Sequence, residues 1–433
     1  MKDLLLRNVT VLDPNGGHHG EEVDILVQKG SIAAIGKRLP AKKAPVVKMD
    51  GLHVSPGWVD LSAHFREPGE EYKEGLTRGL DAAAAGGFTR VAVLPSTEPV
   101  IDSRAGVEYL LRKAAGHPVQ VLPLAAISKG LKGQQLAEMY DLHLAGAVAF
   151  TDDHHPIANA RLMLLALQYA MNFGGTIFSF PSDPTLSAGG QMHESAMSTR
   201  LGLKGIPPLA EVVHLHRDLA LLAYSGSRMH VHGLSTREGV ELVRAAKARG
   251  LKVSASVVAH NLLLDDGCLR GFDTDYKVMP PLRDRDHIDA LRTGVKDGTI
   301  DCVVSDHRPE DEEHKKLEFG QAAFGMIGLE TSYSAANTAL KGRMSQGRIV
   351  EHFCQGPRKV LGLPVPHITE GSVAELTLFA PELEWTFQAK DIVSRGRNTP
   401  FIGQPFTGRP LGIVAGGTVR LSPLLGAEVK ATR

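Results

Sequence analysis

Imidazole and carboxylate side chains that converge at the ends of neighbouring strands can bind a divalent cation, and several stretches of this chain offer them. In Asp60-Leu61-Ser62-Ala63-His64-Phe65-Arg66, residues two apart face the same side of a strand, so Ser62 and His64 point together. That is half of a His-x-His metal pair. Phe150-Thr151-Asp152-Asp153-His154-His155 and Ser305-Asp306-His307-Arg308-Pro309-Glu310 end in carboxylates and histidines. His230 and His232 share one face of His230-Val231-His232-Gly233-Leu234-Ser235-Thr236. They either line a pocket or are hydrogen-bonded interior histidines. A metal held by such groups would acidify a water and polarise a carbonyl, which is the chemistry of hydrolysis.

Plainer roles stand beside these. Adjacent residues leave a strand end in different directions, so His154-His155 is expected to lie in a solvated loop. Without a partner at Ser62, His64 is expected to be hydrogen-bonded, with Asp306 as a candidate partner. Arg66 could bind an anion or pair with a neighbouring carboxylate. Asp311-Glu312-Glu313-His314-Lys315-Lys316 reads as a solvated charged loop. Gly86-Gly87 reads as a helix-to-strand turn, because no glycine-rich phosphate fingerprint opens a helix there.

The elements that must position these residues repeat strand-then-helix. Strands are predicted over 57–64, 89–95, 119–125, 147–152, 176–180, 229–234, 252–258 and 301–306. Ala/Leu-rich stretches such as 73–85 and 236–249 show helical spacing of apolar residues. Eight such units imply an α/β fold with a parallel sheet closed into a (β/α)8 TIM-like barrel, whose chemistry sits at the C-terminal strand ends. Residues 4–12, 23–29, 31–36, 372–379 and 412–421 read as β segments separated by glycine turns. They predict a small β domain built from both termini, 1–54 together with 366–433, around a barrel over 55–365.

Lysine plus arginine and aspartate plus glutamate both number 48, giving a formal net charge of +0. That argues against a general footprint for nucleic acid or an anionic membrane. Three scattered cysteines, Cys268, Cys302 and Cys354, suit reduced thiols in a cytoplasmic protein. No apolar run approaches the roughly 20 residues of a membrane span.

Asp60 to Gly69, Ala83-Ala84-Ala85-Gly86-Gly87-Phe88-Thr89, Phe150-Thr151-Asp152-Asp153, Leu201 to Pro207, Met279-Pro280-Pro281-Leu282-Arg283, Ser305-Asp306-His307 and Phe324 to Glu330 occur in order. Together they resemble the dihydroorotase family of amidohydrolases over roughly residues 50 to 335. The resemblance implies metal positions at Ser62, His64, Asp153, Phe180, Gly233 and Asp306. His64, Asp153 and Asp306 keep ligand-type side chains; Ser62, Phe180 and Gly233 stand where the family has histidine. It also implies a substrate-carboxylate contact at Arg66, with Ser96 and Met279 in place of its usual asparagines. Glu310 replaces the last histidine of the family's Asp-His-Ala-Pro-His segment and would repel an anionic substrate.

A site so depleted predicts a pseudoenzyme with Asp306 and Arg66 vestigial and no cofactor. The resemblance then implies a structural role beside the aspartate transcarbamoylase catalytic subunit in pyrimidine biosynthesis, in a homo-oligomer. An alternative expectation is a metal-dependent, zinc-bearing cyclic amidohydrolase of atypical ligands, using His64, Asp153, Asp306 and His155 or His232. A third is a binding module that senses a pyrimidine intermediate through Arg66.

Overall fold

The computed structural model describes residues 3–41 and 43–426. Five strands come first: β1 (Leu4–Val11), β2 (Glu22–Gln28), β3 (Ser31–Gly36), β4 (Val46–Lys48) and β5 (His53–Pro56). Then follow β6 (Trp58–Ala63), β7 (Phe88–Val93), β8 (Gln120–Ala125), β9 (Ala149–Thr151) and β10 (Ile177–Ser179). A two-stranded excursion, β11 (Met192–His193) and β12 (Gly205–Ile206), precedes β13 (Met229–Val231), β14 (Val253–Val258) and β15 (Cys302–Val304). The chain closes with β16 (Leu376–Thr386), β17 (Pro405–Ala415) and β18 (Thr418–Leu421).

Strands β6 to β10 and β13 to β15 form one parallel sheet in chain order. Its ends meet where the His64 amide donates to the His307 carbonyl at 2.8 Å and the His307 amide to the Ser62 carbonyl at 3.2 Å. This is a nearly closed eight-stranded barrel. Ala92, Leu94, Leu122, Leu124 and Phe178 pack in one cluster, while Val91, Val93, Val121 and Ile177 pack in another. The alternation is the period of two that a strand buried on both faces requires.

The second sheet runs β18-β17-β16-β5-β1-β2-β3, with β4 added beside β1. Both termini build it, and parallel and antiparallel pairs mix within it. It meets the barrel at a buried aromatic cluster, with Trp58 4.6 Å from Tyr333 and 5.2 Å from Phe379 between ring centroids. Beside the cluster, Glu375 accepts from Arg90 and from the fully buried Arg358. The C-terminal strands extend differently from the expectation: β16 continues to Thr386 and β17 begins at Pro405, with a long connection between them.

Candidate metal centre

The C-terminal strand ends leave extended geometry abruptly. Arg66, Asp153 and Asp306 have φ of 59°, 54° and 43°, and Gly233 has φ of 72°. Positive φ is uncommon for residues other than glycine, with aspartate among the more tolerant. These turns aim side chains into the barrel mouth that strand parity alone would send elsewhere.

His154 follows the turn at Asp153. Its ring lies on Phe180, with centroids 4.4 Å apart, and its buried Nε2 lacks a hydrogen-bond partner among the described residues. Nε2 is 3.9 Å from Asp306 Oδ1, and His232 Nε2 is 4.0 Å from the same oxygen. One donor atom from each of His154, His232 and Asp306 lies within 4.8 Å of the others. Burial depresses both imidazoles, His154 to about 4, so both are neutral near pH 7, as ligands must be.

Hydroxyl groups set the His232 tautomer. Ser62 Oγ donates to Asp306 Oδ1 at 3.0 Å and lies 3.2 Å from His232 Nε2. Ser256 Oγ lies 3.4 Å from His232 Nδ1. With the Ser62 proton on Asp306, the Ser62 oxygen accepts from His232 Nε2–H, so a metal taking Nε2 would require the ring proton to move to Nδ1, beside Ser256 Oγ. His230 sits one layer deeper, 2.9 Å from Ser254 Oγ and 3.0 Å from Ser256 Oγ. His260 adds a buried Nε2 without a partner among the described residues, and burial pushes its ring down to about 4 despite the field of Asp306.

A second set, His193, Asp284 and His287, also converges. His193 Nδ1 accepts from Arg283 Nη1 at 3.0 Å, and His287 Nδ1 accepts from the Arg237 amide at 3.0 Å. Those donors cannot reverse, so each neutral ring keeps its proton on Nε2. This set is satisfied without an ion.

The mouth also holds a cation of its own. Arg308 places Nε 3.0 Å from Asp306 Oδ1 and Nη1 3.0 Å from Asp153 Oδ2, while Nη2 bonds Asp153 Oδ1. Ser96 Oγ also donates to Asp153. Burial opposes the charges, but the pairing outweighs it: Asp153 is held well below the usual carboxylate range, Asp306 is lowered, and Arg308 is raised.

Three expectations about individual residues are corrected here. His154 is not in a solvated loop but in the mouth, because the left-handed turn at Asp153 redirects it; His155 instead faces the Asp152 carbonyl at 3.2 Å. His64 does not bond Asp306. Its Nε2 donates to the Ser96 carbonyl at 2.7 Å and its Nδ1 accepts from the Arg66 amide at 3.1 Å, which leaves no lone pair for a metal. Lys315 is buried rather than solvated, with Nζ donating to the carbonyls of Thr274, Ala323 and Gly325.

The structure places the other positions as follows. Ser62 contributes hydroxyl bonds, Phe180 the stacking surface for His154, and Gly233 a turn whose hypothetical Cβ would lie 3.3 Å from Pro280 Cδ. Arg66 pairs with Glu70 at 3.2 Å and with Glu310, while Lys73 bonds the same two carboxylates at 2.6 and 2.9 Å. The connection between β16 and β17 reaches the mouth. Asn398 Nδ2 donates to the Arg308 carbonyl at 2.9 Å and the Gly325 carbonyl at 3.0 Å, and its Oδ1 accepts from the Glu310 amide at 3.0 Å.

Residues 51–239 match a family model described as dihydro-orotase-like. A dihydroorotase from Pelotomaculum thermopropionicum is 43% identical over 418 residues, covering 96% of this chain and 98% of that protein. One from Syntrophotalea carbinolica is 41% identical over 424 residues, covering 97% and 99%. The chain belongs to the dihydroorotase family. Among solved structures, the L-hydantoinase (dihydropyrimidinase) of Arthrobacter aurescens superposes with a TM-score of 0.85 at 25% identity, covering 98% of this chain and 96% of that one. The dihydropyrimidinase of Brevibacillus agri NCHU1002 shares the fold, with a TM-score of 0.80 at 21% identity.

The expectation of a non-catalytic subunit is overturned. Full-length dihydroorotase relatives at about 40% identity, together with the His154–His232–Asp306 group, support the metal-dependent alternative better. Its physical error was to require dihydroorotase-family histidines at their usual positions. Imidazoles reach the mouth from the residue after Asp153 and the residue before Gly233.

Proposed function

We propose that this chain is a dihydroorotase of atypical ligand set, hydrolysing the cyclic amide of dihydroorotate to N-carbamoyl-aspartate. The observation that supports this reading is the convergence of two neutral imidazoles and a carboxylate in the barrel mouth of a dihydroorotase-family chain. The donor set fits a divalent cation such as zinc. It is two histidines and one carboxylate, and a buried, unpartnered Nε2 at His154 is otherwise unexplained. A zinc held by His154, His232 and Asp306 would lower the pKa of a bound water and polarise the amide carbonyl.

The chain's own groups supply the rest. Asp306 Oδ1 faces the two imidazoles and takes the bond from Ser62, which leaves Oδ2 to accept a proton from the attacking water. The water oxygen bonds to the amide carbon, the carbon–nitrogen bond breaks, and Asp306 returns the proton to the departing nitrogen. Phe180 covers the His154 ring and Phe178 the deeper His230 ring, which excludes water from beneath the site. Arg66 is kept as the substrate-carboxylate contact, weakened because Glu70 and Glu310 already neutralise it. Zinc analysis of the purified chain, run beside a ring-hydrolysis assay, tests the reading. Near-stoichiometric zinc with turnover is expected; a zinc-loaded protein that leaves dihydroorotate intact would refute it.

Association with the aspartate transcarbamoylase catalytic subunit and a homo-oligomeric state belong to the proposal through family resemblance. Co-purification and light scattering test them separately from catalysis.

A further inference from the structure

The third residue of the family's Asp-His-Ala-Pro-His segment is Arg308 in this chain. Its guanidinium reaches both site carboxylates at once, bidentate on Asp153 and through Nε on Asp306. Its side chain is 8% exposed, and the carboxylates are more deeply buried still. Two carboxylates and one guanidinium leave the mouth with one net negative charge, the histidines being neutral. Asp306 Oδ1, the oxygen within 4.0 Å of both imidazoles, is also the one that Arg308 holds.

We infer that Arg308 is an exchangeable internal cation, which occupies the carboxylates until a divalent metal displaces it from Asp306. This rests on the metal-dependent reading above. The exchange is confined to the side chain, because the backbone is pinned on both sides. The Arg308 amide donates to the Met326 carbonyl at 2.8 Å, and the Arg308 carbonyl accepts from Asn398. The released guanidinium stays tethered at the mouth and can return when the metal leaves. The arrangement trades metal affinity for a site that is ordered without metal, since buried carboxylates are costly unless paired.

Zinc and cobalt titrations of the wild-type chain and Arg308→Ala, followed by calorimetry and by the cobalt visible spectrum, test the exchange. Arg308→Ala is expected to bind metal at least ten-fold more tightly, and its metal-free form to melt lower and recover on adding zinc. The double variant Arg308→Met with Asp153→Asn removes the cation and its bidentate partner together, so it guards against misfolding of the single variant. It too should bind more tightly than wild type. Equal, measurable affinity in all three would overturn the exchange while leaving the metal reading intact. Binding by the variants but not by wild type would overturn the exchange, since Arg308 would then hold the carboxylates permanently, and would sink the metal-dependent reading of the native chain with it. Absence of binding in all three would overturn both.

Discussion

At the scale of single residues, hydrogen-bond direction separates the histidines that can ligate from those that cannot. His64 donates to a carbonyl and accepts from an amide, so both ring nitrogens are committed. His154 has a buried nitrogen with no partner among the described residues, and the hydrogen bonds of His232 run to hydroxyls, which allow either ring tautomer, with Asp306 Oδ1 4.0 Å from Nε2. His154→Ala and His232→Ala should each lower bound zinc by about 10–100-fold in affinity or more, a range typical even of outer partners. His64→Ala should keep its zinc and lose stability by about 1 kcal/mol from the lost hydrogen bond. Elemental analysis and denaturant titration on the three variants check this; zinc loss in His64→Ala would return that residue to the ligand set. His64, Asp153 and Asp306 were marked as ligand-type positions by the family resemblance. His154 and Arg308 were not, because their roles depend on the positive φ at Asp153 and Asp306. Parity arguments hold only while the backbone is extended, and a residue beyond such a turn loses its predicted direction.

At the scale of elements, the same contrast applies. The eight barrel strands were legible, each lying within or overlapping its predicted range, since burial on both faces leaves an apolar signature. The reach of β16 and the excursion from Phe387 to Gln404 were not, because polar connection segments are placed by partners distant in sequence. The joint between helix α1 (Leu76–Ala85) and β7 shows how such partners constrain a position. Gly86 has φ of −74°, which any residue adopts, yet a Cβ there would lie 2.2 Å from the Leu329 carbonyl oxygen. Backbone cannot move aside as a flexible side chain can. Gly86→Ala should therefore cost about 1–3 kcal/mol, the usual range for overpacking, and chemical denaturation would read it as a lower midpoint. An unchanged midpoint would mean that the loop at Leu329 yields freely.

For the whole molecule, buried neutral histidines set the acid limit of stability. Burial pushes His154, His193, His260 and His352 down to about 4 and His307 to about 3. In the unfolded chain the same rings take protons near pH 6.5. The folded state thus binds fewer protons between about pH 6.5 and 4, so acidification favours unfolding across that window. Each ring can contribute up to about 1.4 kcal/mol per pH unit there. The buried carboxyls of Asp60 and Glu74, pushed up to about 7, offset part of this, but the histidines outnumber them, so thermal melts of the metal-free protein should show Tm falling from pH 6.5 to 4.5; a rising Tm would contradict that balance. Bound metal should steepen the fall, because protons compete for the same nitrogens.

Asn398 fastens the loop that bears Arg308 and Glu310 from 90 residues further along the chain. Polypeptides emerge from the ribosome N-terminus first. All eight barrel strands are therefore synthesised well before the amide that locks their rim. A chain halted after β15 would hold every proposed ligand yet lack the amide that fastens the loop bearing Arg308.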